Sequence, residues 1–71
     1  MKYVVLEIQT NADGTVGTLV NTYDNWNQAE QKYHTVLAAA AVSGLPVHTA
    51  VLITNEGQVQ ENKTFWNDPT T

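Results

Sequence analysis

The chemistry open to this chain is limited by its side chains. Cysteine is absent and Ser43 is the only serine, so Ser43 is the one strong hydroxyl nucleophile to weigh. It stands where a helix is expected to end, a position serine occupies for backbone hydrogen bonding. A serine triad would need His34 or His48 beside it with an orienting acid, and the spacing gives no sign of one. The two histidines lie far apart in sequence, without the i, i+4 or hairpin spacing of a metal pair. His34 reads as a flank residue of a helix. His48 reads as a polar residue on an open sheet face or interface, where copies meeting across a two-fold axis would offer a metal its best entry. No metal or cofactor is expected. Among the carboxylates, Asp13 and Glu56 fall in turns, Asp24 and Glu30 at a helix start, Asp68 in the tail, and Glu7 and Glu61 on strands. Nothing in that distribution forms the paired acids of a glycosidase cleft. Asp13-Gly14-Thr15-Val16-Gly17 lacks the lysine and the following helix of a phosphate loop. The expectation is a protein that is not an enzyme.

The aromatic residues leave two readings open. Tyr23, Trp26 and Tyr33 gather near the helix entry, and Phe65 and Trp66 lie near the chain end. They are either core and core edge, or a stacking platform for a flat ligand and anchors for a partner. In the second reading Lys32 or His34 contacts an anionic group. The candidate contact residues are therefore Tyr23, Trp26, Lys32, His34, His48 and Trp66.

Five elements must position these groups. Residues 2–9 alternate, with Val4, Leu6 and Ile8 on one face and Tyr3, Val5 and Glu7 on the other, the period of a strand. Asn11-Ala12-Asp13-Gly14 turns the chain, and residues 15–23 return as a second strand with Gly17 as a candidate bulge. Asn25 with Gln28, and Asn27 with Glu30, are overlapping helix-start signals. Trp26, Ala29, Tyr33, Val36, Leu37 and Ala40 then form one helical stripe, opposite Gln28, Gln31, Lys32 and Thr35. Ser43-Gly44-Leu45-Pro46 ends the helix, with Gly44 expected in the left-handed cap. A strand from Leu45 or Val47 to Thr54 and a weaker one over residues 58–66 form a second hairpin around Asn55-Glu56-Gly57, and residues 67–71 are expected to fray.

The order β-β-α-β-β gives an α+β fold: a four-stranded antiparallel sheet with one helix packed on one face. The other face stands open, with Tyr3, Val5, His48, Ala50 and Leu52 expected to line it. A second association surface is offered by Ala38, Ala39 and Val42 on the helix.

Seventy-one residues make one domain, and a chain of that size buries only about 60–65% of its unfolded surface. With no disulfide available, association of identical chains is the expected source of further stability. The net charge is −4 and the pI about 4.7. Lys2, Lys32 and Lys63 are scattered, which argues against direct binding of DNA or RNA. Copies of one lysine brought together by symmetry would still suit a small anionic ligand. The longest apolar run, residues 36–42, is far below the ~20 residues of a membrane span. The amino terminus does not read as a signal peptide, so a cytoplasmic protein is expected.

Lys2-Tyr3-Val4-Val5-Leu6-Glu7-Ile8-Gln9 with Asp13-Gly14-Thr15-Val16-Gly17, and Tyr33 to Ser43 with Leu45-Pro46-Val47-His48, resemble a family of small uncharacterised proteins encoded in phages and prophages of Firmicutes. The Asn27-Gln28-Ala29-Glu30 helix start belongs to the same resemblance, which fades after about Gly57. It transfers no functional residue. It implies a phage product working in the host bacterial cytoplasm or in the virion. The expected role is a homo-oligomeric counter-defence binder that sequesters a nucleotide-like signal between subunits. The alternatives are a blocker of a host protein or a virion or tail accessory.

Overall fold

The computed structural model describes residues 1–67. Its elements are β1 (Tyr3–Thr10), β2 (Val16–Tyr23), α1 (Trp26–Ala41), β3 (Val47–Thr54) and β4 (Val59–Trp66). The strands form one sheet in the order β2-β1-β3-β4, and every neighbouring pair is antiparallel. The fold is α+β, with α1 packed on one face of the sheet. Gly14 and Gly57 take positive φ, 88° and 86°, in the two hairpin turns, where a side chain would be strained.

Asn25 caps the helix, its side chain accepting from the Gln28 N–H at 3.2 Å. Of the two overlapping start signals, the Asn25–Gln28 pair is the one used. The helix end differs from expectation. Val42 is the C-cap, and Gly44 does not take positive φ; the chain leaves through Ser43, whose Oγ accepts from the Leu45 N–H. Gly17 pairs regularly with Gln9, so it is no bulge. The register shift lies between Leu52 and Ile53, on the β3–β4 ladder. Asn67, expected to begin the frayed end, is tied down: its N–H donates to the Pro46 carbonyl and its Nδ2 to the Ala40 carbonyl. The rest of that stretch, 68–71, lies outside the described residues.

The helix covers the face opposite to the one expected. Ala29, Tyr33 and Val36 of α1 pack on Val5, Ala50 and Leu52, with Tyr3, Tyr23 and Leu37 at the edge of the cluster. Both faces of β1 and β3 are apolar, so alternation alone could not choose between them. Ala50 of β3 and Ala29 and Ala40 of the helix are all fully buried, small side chains that suit a close approach of α1 to the sheet. His48 is on this covered face too, 4% exposed.

The open face follows from the register. β1 presents Val4, Leu6, Ile8 and Thr10, and β3 presents Val47, Thr49, Val51 and Ile53. β2 adds Val16, Thr18, Val20 and Thr22, and β4 adds Val59, Asn62, Thr64 and Trp66. Among the described residues no charged side chain stands on it. Every ionisable residue of the strands faces the helix instead.

Candidate functional site

Three polar groupings lie on the helix side. The first is a shallow groove of about 320 Å³ between α1 and β2, lined by Tyr23, Gln28, Gln31, Lys32 and Thr35. It exists because α1 packs over β1 and β3, leaving the helix-side surface of β2 uncovered. The polar helix face read from the sequence forms its wall, and Tyr23, the last residue of β2, forms its end. Glutamine and threonine offer both donors and acceptors, and Lys32 offers a positive charge. This set suits a small polar ligand carrying an anionic group.

The second grouping is buried. His48 Nε2 donates to Glu7 Oε2 at 2.6 Å, and Gln9 Nε2 donates to the same oxygen at 2.9 Å. The side chains of His48 and Glu7 are 5% and 15% exposed. Burial pushes the Glu7 carboxyl up. The hydrogen bonds from Gln9 and His48, with the charges of His48 and Lys32, outweigh it and hold the pKa below its ordinary value. His48 Nδ1 is buried without a partner. A histidine oriented by a carboxylate has the form of a general base. Among the described residues no hydroxyl is hydrogen-bonded to it, and its burial closes it to solvent. The arrangement therefore serves as a polar pin between β1 and β3.

The third grouping joins α1 to β4. A hydrogen bond with Glu30 pushes the Glu61 carboxyl above its ordinary range, and burial and the Glu30 charge push the same way against the opposing charge of His34. Glu30 Oε1 and Glu61 Oε2 are both buried without another partner. Two carboxyl groups brought together in this way disfavour double ionisation. His34 Nε2 lies 3.3 Å from Glu30 Oε2, and the His34 ring packs edge-on against Tyr33 with centroids 5.6 Å apart. Among the described residues no group of three or more His, Cys, Asp or Glu side chains is arranged to hold a metal ion.

The sequence-read contact residues thus scatter. Tyr23 and Lys32 meet in the groove. Trp26 packs edge-on against Tyr3, with centroids 5.2 Å apart, at the opening of the helix. His34 is exposed on the helix flank. His48 is neither on an open face nor placed to meet its copy across an axis, because α1 covers it. Trp66 is 70% exposed on the open face, paired with Val47. Gln28, Gln31 and Thr35 were missed as site residues, although their shared helix face was the available signal. Glu7 was missed because only the pairing of β1 with β3 brings it to His48, and Glu61 because only the packing of α1 against β4 brings it to Glu30.

No family model matches the chain, and no curated protein or solved structure matches it either. No helix among the described residues is long and apolar enough to cross a membrane.

Proposed function

We propose that this chain is a non-catalytic binding protein that works as a homo-oligomer, stacked through its uncharged sheet face, and sequesters a small anionic, nucleotide-like ligand. The observation that carries this reading is the open face itself. Four strands about 4.8 Å apart, at about 3.3 Å per residue, spread it over roughly 500 Å². Two stacked copies then bring about 1,000 Å² together, the size at which a stable interface begins. Apolar patches of this extent mark association surfaces, and with no charge on either copy, stacking leaves no ion without water. A single chain has little other interior to draw on.

The groove supports the ligand half of the reading through Lys32, Tyr23 and the two glutamines. The phage origin implied by the resemblance supports a counter-defence role in the host cytoplasm. The same face would also seat a flat apolar surface of a host protein, which makes direct blocking of that protein the second reading.

Native mass spectrometry at micromolar concentration tests the assembly, with calorimetric titration of a nucleoside monophosphate as the ligand probe. The wild type is expected as a multimer of the 7.8 kDa chain, Val51→Lys as a smaller species, and Lys32→Gln with at least tenfold weaker binding. A folded wild-type monomer would reject stacking and favour the host-protein reading. Binding unaffected by Lys32→Gln would reject the groove.

A further inference from the structure

The two rims of the sheet differ. β4 carries Glu61 and Lys63 and is interrupted opposite Leu52 and Ile53, both devices that keep a strand edge from pairing. β2 has no charge, proline or irregularity over Val16–Tyr23. Val16, Leu19 and Val20 on it are 62%, 53% and 59% exposed. Its free backbone groups follow from the ladder. The Asn11 N–H donates to the Thr15 carbonyl at 2.8 Å, and bonded and non-bonded pairs alternate along antiparallel strands. Continuing from that bond, Gly17, Leu19, Asn21 and Tyr23 bond to β1. Val16, Thr18, Val20 and Thr22 turn their N–H and C=O groups outward. The bond from the Asn55 N–H to the Lys2 carbonyl sets the same alternation from the far side of β1.

The groove beside β2 is correspondingly one-sided. It has the α1 wall, with Gln28, Gln31 and Lys32, but no second wall.

We propose that β2 pairs antiparallel with β2 of a second copy, forming one eight-stranded sheet and closing two half-grooves into a single trough walled by both helices. With the two-fold axis at Leu19, Thr18 exchanges hydrogen bonds with Val20 of the partner subunit. Leu19 meets Leu19 of the partner subunit on the trough floor, covering an apolar side chain that a lone copy leaves half in water. Strands about 4.8 Å apart place the two helix axes roughly 19 Å from each other. Helices about 5 Å in radius then leave a gap of roughly 9 Å, wide enough for one flat ring system. The two copies of Lys32 face each other across it. The trough takes one anionic ligand for every two chains. This deepens the homo-oligomer reading and rests on it for the ligand, while using the sheet's edge instead of its open face. Edge pairing and face stacking together close a tetramer with two perpendicular two-fold axes.

The chain has no cysteine, so a single introduced thiol reports the pairing. Non-bonded antiparallel residues approach to about 4.5 Å between Cα atoms, within disulfide range. Under mild oxidation Leu19→Cys is expected to convert mostly to a covalent dimer, while Gln60→Cys on β4 stays reduced. Thr18→Pro removes one outward donor without touching the β1 ladder, and an edge strand tolerates it. It is expected to keep the wild-type circular dichroism, halve the native mass and weaken nucleoside monophosphate binding at least tenfold. Cross-linking no faster for Leu19→Cys than for Gln60→Cys, or a folded Thr18→Pro protein with wild-type mass, would overturn the proposal. Made in the Val51→Lys background, Leu19→Cys separates the two interfaces: cross-linking there with a native mass no lower than that of Leu19→Cys alone rejects only the earlier assembly. A mass lowered by Val51→Lys without cross-linking of Leu19→Cys rejects only the edge pair.

Discussion

The two faces of one sheet divide the labour in an unusual way. The face beneath the helix holds Val5, Ala50 and Leu52 but also Glu7, Gln9, His48, Glu61 and Lys63. The face without a cover holds threonines, one asparagine and otherwise apolar side chains. A small domain usually hides its grease and wets its charges; here the covered layer is mixed and the bare layer is neutral. The helix therefore completes only half of a core. The covered face tolerates ionisable groups where they pair, as Glu7 does with His48 at 2.6 Å, or where they keep contact with water, as Lys63 does.

The division between the faces is tested most strongly by cutting one side chain from each at adjacent positions. Leu52→Ala, on the covered side and fully buried, is expected to cost about 4 kcal/mol in denaturant unfolding, since the cavity adds to the lost burial. Val51→Ala, on the open side, is expected to cost less than about a third of that in dilute, dissociated protein while weakening self-association. Equal losses would mean that the open face is not a free surface. The next largest effect concerns the polar pin. His48→Leu leaves Glu7 buried with one partner fewer and is expected to cost about 3 kcal/mol, most of it recovered when Glu7→Met is added. A double variant as weak as the single one would show that the pair does more than neutralise itself.

The smallest effect is a pH dependence of opposite sign at two acids on the same face. Glu7 is held below 4.5 in the fold, so its contribution is present above that pH and is lost as pH falls through the lower, folded value. Glu61 is held above 4.5, so its contribution is complete below that pH and is lost as pH rises through the raised value. Glu30, His34 and Tyr33 are the titratable groups around Glu61. Glu61→Gln is expected to raise thermal stability at neutral pH and to leave the acid limb, set by Glu7, in place. Melting curves measured across the pH range that show no gain at neutral pH would remove the repulsion between Glu30 and Glu61.

The fold was legible because its signals are local. Alternation over β1, the Asn11–Gly14 turn, the Asn25 cap and the Trp26-to-Ala40 stripe each depend on neighbours in sequence. Which face α1 would cover was not legible, because Val4, Leu6 and Ile8 are as apolar as Tyr3 and Val5. In the fold α1 packs on Val5, Ala50 and Leu52, a face where the small Ala50 leaves the helix room. Gly44 misled because a glycine before Leu-Pro looks like a left-handed cap, whereas Val42 and Ser43 end the helix with ordinary backbone angles. The groove was half legible: its helical wall was written in the spacing of Gln28, Gln31, Lys32 and Thr35. The contribution of Tyr23 depends on where α1 crosses the sheet. Glu7 with His48, and Glu30 with Glu61, became partners only through pairings distant in sequence.

The placement of the two indoles gives the molecule a pair of optical gauges. Trp26, wedged against Tyr3 where the helix begins, emits according to whether the helix is docked. Trp66, standing bare beside Val47, emits according to whether anything lies on the sheet's neutral side. With Trp26→Phe, the remaining fluorescence is expected to shift to the blue as protein concentration rises, reporting coverage of that side without a label.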